Sequence, residues 1–218
     1  MIKYFKKLLS IPSFYHYSRQ FLLGGMPLKK WAEYGNYYQA NERIADLGCG
    51  PSDILRYVDK NKLPGFYLGI DISSRYLKQA ELKAQKLNLK YRFIHMDLSQ
   101  LTADQNIQSQ LIEILNEYQI TTVNLFGVIH HIDDQAVITT LNTVYAAGTV
   151  RSLNTQDVLN IDQNKINNFY ASLDRGEFVR KEDQYDTLIQ KTNWSKTDKK
   201  WSRAGVIQVK YLHYRLSK

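Results

Sequence analysis

Cysteine occurs once in this 218-residue chain, at Cys49. A single thiol excludes an internal disulfide and any zinc site built from cysteine clusters. Proline is scarce, at four residues, and no low-complexity segment or internal repeat divides the chain. No apolar run approaches the ~18 residues of a membrane span. Lys3, Lys6 and Lys7 open the sequence, but no long apolar core or small-residue cleavage site follows, so no secretory signal is expected. A reducing cytoplasm is the expected setting. No His, Asp and Glu cluster has metal spacing, so no metal is expected.

What is present fits one sizeable globular domain with a small cap. The net charge of +8 is unevenly spread. Residues 1–32 hold six Lys or Arg and no acid, and residues 191–218 hold eight basic residues against Asp198 alone. The middle, 33–190, is therefore at −5 (8 − 6 − 7). Basic ends attract an anionic substrate, nucleic acid or membrane surface, or are solvated faces.

Hydrophobic periodicity gives the elements. Residues 1–41 read as helical and aromatic-rich, broken at Gly24-Gly25-Met26-Pro27. Ile44 to Leu47 is a strand cut short by glycines, Phe66 to Ile70 a second, and Tyr91 to His95 a third. Ser73 caps a helix whose apolar face is Leu77, Ala80, Ala84 and Leu87. Ile107, Leu111, Ile114, Leu115 and Tyr118 mark another helix, and Thr121 to Phe126 is a β-branched fourth strand. Asp133 and Asp134 start a helix through Val137, Leu141 and Val144, which Gly148 ends. Strands alternating with helices predict a Rossmann-like, mostly parallel sheet with helices on both faces. Beyond about residue 155 the pattern weakens. Ile166 to Leu173 and Asp183 to Thr192 read as helices around the turn Asp174-Arg175-Gly176. Val206 to Leu216 alternates as a strand, the antiparallel edge of the same sheet. The organisation expected is a helical lid (1–41), a core (42–155), a cap insertion (156–205) and a final strand (206–218).

Three strand ends carry the chemistry. The first turn reads Asp46-Leu47-Gly48-Cys49-Gly50. Gly48 and Gly50 allow a tight turn and leave no side chain, apart from Cys49 between them, to separate backbone from ligand. A dinucleotide fingerprint would place a third glycine at position 53, but Asp53 stands there and opposes a pyrophosphate. Asp46 likewise disfavours phosphate and suits an ammonium. Asp71 ends the second strand and can accept both hydroxyls of a ribose. Asp97 ends the third and can accept from an adenine amino group, with Met96 offering the ring an apolar contact. Together they describe a site for a nucleoside with an amino-acid tail.

These residues, with Gly127-Val128-Ile129-His130-His131-Ile132-Asp133-Asp134 as a fourth motif, resemble the class I S-adenosylmethionine-dependent methyltransferases. The resemblance is strongest to the branch that methylates small molecules and covers residues 40–150. Ser13-Phe14-Tyr15-His16-Tyr17 and Ser172 to Arg180 extend it to the ends. It implies that Asp46, Gly48, Cys49 and Gly50 hold the methionine part of S-adenosylmethionine. It further implies that Asp71 and Ile72 hold the ribose side, and that Met96, Asp97 and Leu98 frame the adenine. Phe126 and Gly127 would line the methyl-transfer side with His131 near it, and Tyr15 or Tyr17 would close over the cofactor. The fourth strand reads Asn124-Leu125-Phe126-Gly127 and lacks the Asp/Asn-Pro-Pro-aromatic motif of enzymes that methylate amino groups on bases or glutamine.

A sulfonium already activates its methyl group, so the protein mainly aligns the acceptor, and His131 and His130 are the candidate bases. The expected partner is a small-molecule acceptor. The alternatives are an RNA acceptor drawn by the basic ends and a non-catalytic cofactor-binding protein. Residues 1–9 are a candidate peripheral membrane contact.

Overall fold

The computed structural model describes residues 41–173, 176–204 and 209–218. Seven strands run as β1 (Arg43–Leu47), β2 (Phe66–Asp71), β3 (Tyr91–His95), β4 (Thr122–Phe126), β5 (Ser152–Val158), β6 (Ser195–Ala204) and β7 (Val209–Ser217). They form one sheet in the order β3-β2-β1-β4-β5-β7-β6. The first five are parallel; β7 is antiparallel to β5, and β6 to β7. Among the described residues five α-helices accompany them: α1 (Ser74–Lys86), α2 (Gln105–Glu117), α3 (Asp134–Ala146), α4 (Lys165–Leu173) and α5 (Glu182–Gln190).

Local chemistry starts the helices between the parallel strands. Ser73 caps α1 by accepting from the Tyr76 N–H at 3.3 Å. Asp104 accepts from Asn106 at the start of α2, and Asp133 from Ala136 at the start of α3, each at 2.8 Å. Such a cap satisfies one of the four N–H groups that a helix start leaves over. In α1 the stripe Leu77, Ala80 and Ala84 is buried, as its spacing predicts.

Alternation along each strand divides the side chains between two faces. Ala45, Leu47, Leu68, Ile70, Val123, Leu125, Leu153, Leu212 and Leu216 point to one face. There they pack with Leu111 and Leu115 of α2, Val137, Leu141 and Val144 of α3, and Leu188 of α5. On the other face Tyr67 packs with Ile54, Leu55, Ala84 and Leu89, and Val158, Val209 and Tyr211 pack with Ala171 of α4.

Three features depart from the sequence expectation. The strand that follows the weakened pattern is not the sheet's edge: β7 lies between β5 and β6, and β6 is outermost. Residues 195–204, expected within a cap insertion, are that outer strand. Charged edge strands are hard to read because their lysines guard an unpaired edge instead of marking a buried face; β6 reads Ser-Lys-Thr-Asp-Lys-Lys-Trp-Ser-Arg-Ala. Finally, β5 lacks an apolar run because Asn154, Thr155, Gln156 and Asp157 are buried in it.

Gly69 of β2 tests this packing. A methyl group there would run into the Phe93 ring and lie 3.0 Å from Cys49 Sγ. Gly69→Ala should cost about 1–3 kcal/mol by overpacking, and adding Phe93→Leu should recover part of it. An unchanged urea midpoint in the single variant would refute the contact.

Candidate functional site

Strand addition reverses between β1 and β4. In sheets of this kind the ligand crevice lies at that point, outside the carboxyl ends of the strands. The β1 turn is pinned there from β2: the N–H groups of Gly48 and Cys49 both donate to Ile70 O, at 2.7 and 3.0 Å. Gly48 has φ +72, and a methyl on it would lie 2.6 Å from Val128 Cγ2, so the turn packs directly on the loop after β4. Gly50 has φ +53, and a methyl on it would meet nothing within 4 Å. The same turn is thus closely packed at one glycine and open at the next.

Asp71, at the end of β2, ties this turn to the next. One carboxylate oxygen accepts from the Gly50 N–H at 2.7 Å and the other from the Ser73 N–H at 2.8 Å. A carboxylate offers about four lone-pair sites, so each oxygen keeps capacity for a further donor. Beside it Ile72 is 59% exposed. Met96 is buried, and its N–H donates to Asp71 O at 3.2 Å.

Asp97 lies two residues beyond β3, which ends at His95, and so caps the following turn instead of ending the strand. It accepts from the Ser99 N–H at 3.0 Å, the Ser99 hydroxyl at 2.6 Å and Gln100 Nε2 at 3.1 Å. The Ser99 hydroxyl, foremost among these, holds its carboxyl below the usual range. Leu98 follows, half-buried against the core.

Asp46 was expected to face an ammonium group. Asp46 is 5% exposed, and its carboxylate accepts from the Tyr67 hydroxyl on β2 at 2.7 Å. That hydroxyl also lies 3.1 Å from Ser52 Oγ. Burial pushes the Asp46 carboxyl up to about 7; the Tyr67 hydrogen bond works against this, and the Asp71 charge adds to it. The Cys49 thiol is also turned inward, and burial, then Asp46 and Asp71, push it up. Asp46 and the Cys49 thiol shape the turn from within the fold.

The two histidines separate. His130 is 1% exposed; its backbone N–H and ring Nδ1 lie 3.1 and 2.7 Å from the same Asp157 oxygen at the end of β5. Burial pushes Asp157 up, while the His130 hydrogen bonds and charge and the Arg180 charge pull it back part way. His131 is exposed, with its ring centroid 4.2 Å from that of His130. Half-buried Phe126 precedes them, then Gly127 at φ +70, whose N–H donates to Gln156 O at 2.7 Å. His213, a weaker histidine candidate, lies inside the sheet with Nε2 2.7 Å from Ser202 Oγ. Burial, then the Lys200 charge, pulls it down to about 4.

Tyr15, Tyr17, residues 1–40 of the expected lid and the 1–9 membrane contact lie outside the described residues. Three participants were missed. Tyr67 had no signal beyond its position two residues before Gly69. Asp157 is an acid ending a strand, but that strand carried no apolar pattern. Arg180 stood within a quoted stretch without a role. A cavity of about 360 Å³ lined by Asn41, Glu42, Arg43, Thr121, Thr122, Arg151 and Ser152 lies at the opposite, amino edge of the sheet. It is remote from the glycine turn. Among the described residues no group of His, Cys, Asp or Glu is placed to hold a metal ion, and no helix is long and apolar enough to cross a membrane.

Residues 44–148 match the profile of a methyltransferase domain. No curated protein sequence matches the chain. Among solved structures, it is similar to magnesium protoporphyrin IX methyltransferase from Synechocystis PCC 6803 with bound SAH, with TM-score 0.59 and 16% identity, over 88% of this chain and 80% of that one. It is similar to the methyltransferase domain of bacterial CtHen1, with TM-score 0.60 and 14% identity, over 90% of this chain and 100% of that one. It is also similar to the mitomycin 7-O-methyltransferase MmcR, with TM-score 0.61 and 15% identity, over 89% of this chain and 55% of that one. The chain therefore spans only about half the length of that last protein. Sheet order and these likenesses give the chain the class I S-adenosylmethionine-dependent methyltransferase fold.

The buried Asp46–Tyr67 pair predicts a pH dependence. Asp46 has a folded pKa above its unfolded value, so the folded state holds the extra proton between about pH 4 and 7. Its contribution to stability is complete below the unfolded pKa and is lost as the pH rises through the folded one. At about 1.4 kcal/mol per pH unit, the loss is on the order of 4 kcal/mol. Urea unfolding at pH 4.5 and 7.5 should show this decline in the native chain and a smaller one in Asp46→Asn. Equal declines in both proteins would show that Asp46 does not titrate in this range.

Proposed function

We propose that this protein transfers a methyl group from S-adenosylmethionine to a small-molecule acceptor. The observation that carries the reading is Asp71: it draws Gly50 to the end of β2, keeps lone pairs for two hydroxyls, and stands beside exposed Ile72 and the open space over Gly50. These residues fit a nucleoside. Asp71 holds the ribose, Ile72 and Met96 take the faces of the adenine, and Asp97 stands at its rim. The backbone of Gly48 to Gly50 passes the amino-acid tail. When bound, the cofactor supplies an activated methyl on a positively charged sulfur.

The remaining work belongs to the chain. Phe126 and Gly127 bound the transfer side, and His131, the exposed histidine of the pair, takes a proton on a ring nitrogen as the acceptor attacks in line. His130 orients that turn through Asp157. A small acceptor is favoured over RNA by how the charge is placed. Lys196 and Lys199 pair with Asp186, Lys199 also with Glu182, and Lys200 with Asp198. Three of the eight basic residues in 191–218 thus face acids, which leaves fewer to hold phosphates.

Calorimetric titration with S-adenosylhomocysteine tests the cofactor. It should bind the native chain, and Asp71→Ala should weaken binding at least about tenfold, the value of one charge-assisted hydrogen bond. No binding to the native chain would overturn the reading. His131→Ala should slow methyl transfer at least about tenfold while leaving the affinity for S-adenosylhomocysteine within about twofold. A parallel loss of both would assign His131 to packing.

A further inference from the structure

We infer that Arg180 is a positioning residue that holds the 127–134 loop in the form that presents His131. The inference rests on the methyltransferase reading for its purpose and on geometry alone for its substance. Arg180 is 5% exposed and belongs to the segment between α4 and α5. Its guanidinium brackets the histidine pair: Nη1 donates to Ile129 O at 2.9 Å, and Nη2 donates to Ile132 O at 2.8 Å. Nε donates to Asp134 Oδ1 at 2.8 Å, and Nη2 lies 2.8 Å from the same oxygen. The carbonyl between the brackets is also occupied, since the Phe178 N–H donates to His130 O at 3.0 Å. Nη1 returns to Phe178 O at 3.0 Å, so the segment stiffens itself while gripping the loop.

The grip needs this planar fork. Two carbonyls on either side of a short turn and a carboxylate beyond it are reached by fixed donors pointing in different directions, which an ammonium group cannot reproduce. From the other side Asp157 takes both the backbone N–H and the ring Nδ1 of His130. Gly176 closes the same contact: a methyl on it would overlap the His130 ring and approach His130 O at 2.7 Å. His130 is thus clasped from β5 and from residues 176–180, and the histidine left exposed in the turn is His131. The segment that lies within the expected cap insertion and the loop expected to carry the base are one mechanical unit.

Hydrogen exchange on the full-length protein tests this. Arg180→Ala should speed exchange of the amides of His131, Ile132 and Phe178 about tenfold or more, with the β1 and β2 amides unchanged. Arg180→Lys should restore only part of the protection. Unchanged exchange at these amides, uniform loss across β1 and β2, or full rescue by lysine would each overturn the inference. Asp134→Ala provides a milder variant, because that carboxylate is 68% exposed and contributes one arm of the grip. It should raise exchange at the same amides about threefold, and no change there would also overturn it. S-adenosylhomocysteine should bind native and Arg180→Ala chains within about twofold of each other, and a large loss specific to the variant would move Arg180 into cofactor binding. If the compound bound neither protein, the methyltransferase reading would fail while the exchange result still decided the role of Arg180.

Discussion

The carboxylate of Asp71 is the joint on which the carboxyl edge depends. It stands at the end of β2, beside the end of β1 in the register Leu47↔Ile70, and it holds one N–H from the turn after each strand. A backbone N–H at a sharp turn has no strand partner, and leaving it buried without one costs about 1–3 kcal/mol. Asp71 removes that cost twice and fixes Gly50 where its φ of +53 is required. Because the β1 turn is fixed, Gly48 can lie against Val128, and so the loop after β4 is located from the same point. A residue that reads in sequence as a ligand contact is equally the clamp that gives the ligand a place.

The two faces of the sheet follow different rules. The face shared with α2, α3 and α5 is aliphatic and close-packed. On the other, strand alternation places Asp46, Asn124, Asn154, Gln156 and His213, all buried. Pairing across strands makes much of this tolerable: Asp46 with Tyr67, Asn154 with Asn124 at 3.0 Å, and His213 with Ser202. Each pair joins side chains from neighbouring strands, so these polar groups add to the register that the buried aliphatic face already sets. The raised pKa of Asp46 is the cost of putting a carboxyl group on such a face.

This division explains what the sequence disclosed. Strands β1 to β4 were legible because they are apolar on at least one face, and two of the helices between them because they begin at Ser73 and Asp133, residues whose side chains can cap. The glycine turn, Asp71 and Asp97 were legible because glycine at a tight turn and an acid near a strand end leave a local signature. Strand β5 was hidden because four of its six buried residues are amides, a hydroxyl and an acid, which leaves Leu153 and Val158 too far apart to mark a hydrophobic period. Strand β6 was hidden for the opposite reason, since its lysines answer to solvent and to acids on α5. The inward turn of Asp46 was also illegible. It depends on Tyr67, which comes close only when β1 and β2 pair. The separate roles of His130 and His131 depend in the same way on Asp157 and Arg180, 27 and 50 residues further along the chain.

The loop from Gly127 to Asp134 is where these dependencies meet. On one side Val128 touches Gly48 of the turn that Asp71 holds. On the other, the carbonyls of Ile129, His130 and Ile132 are taken by Phe178 and Arg180. Beneath it Asp157 fixes His130 from β5. In the proposed reaction a methyl group would travel a distance shorter than a side chain, so donor and acceptor would have to be placed by parts that do not move independently. An isolated turn after β4 would have no such stiffness, because three residues of 3₁₀ helix hold themselves weakly. The fold supplies it by making this turn the keystone between the cofactor edge and the segment before α5.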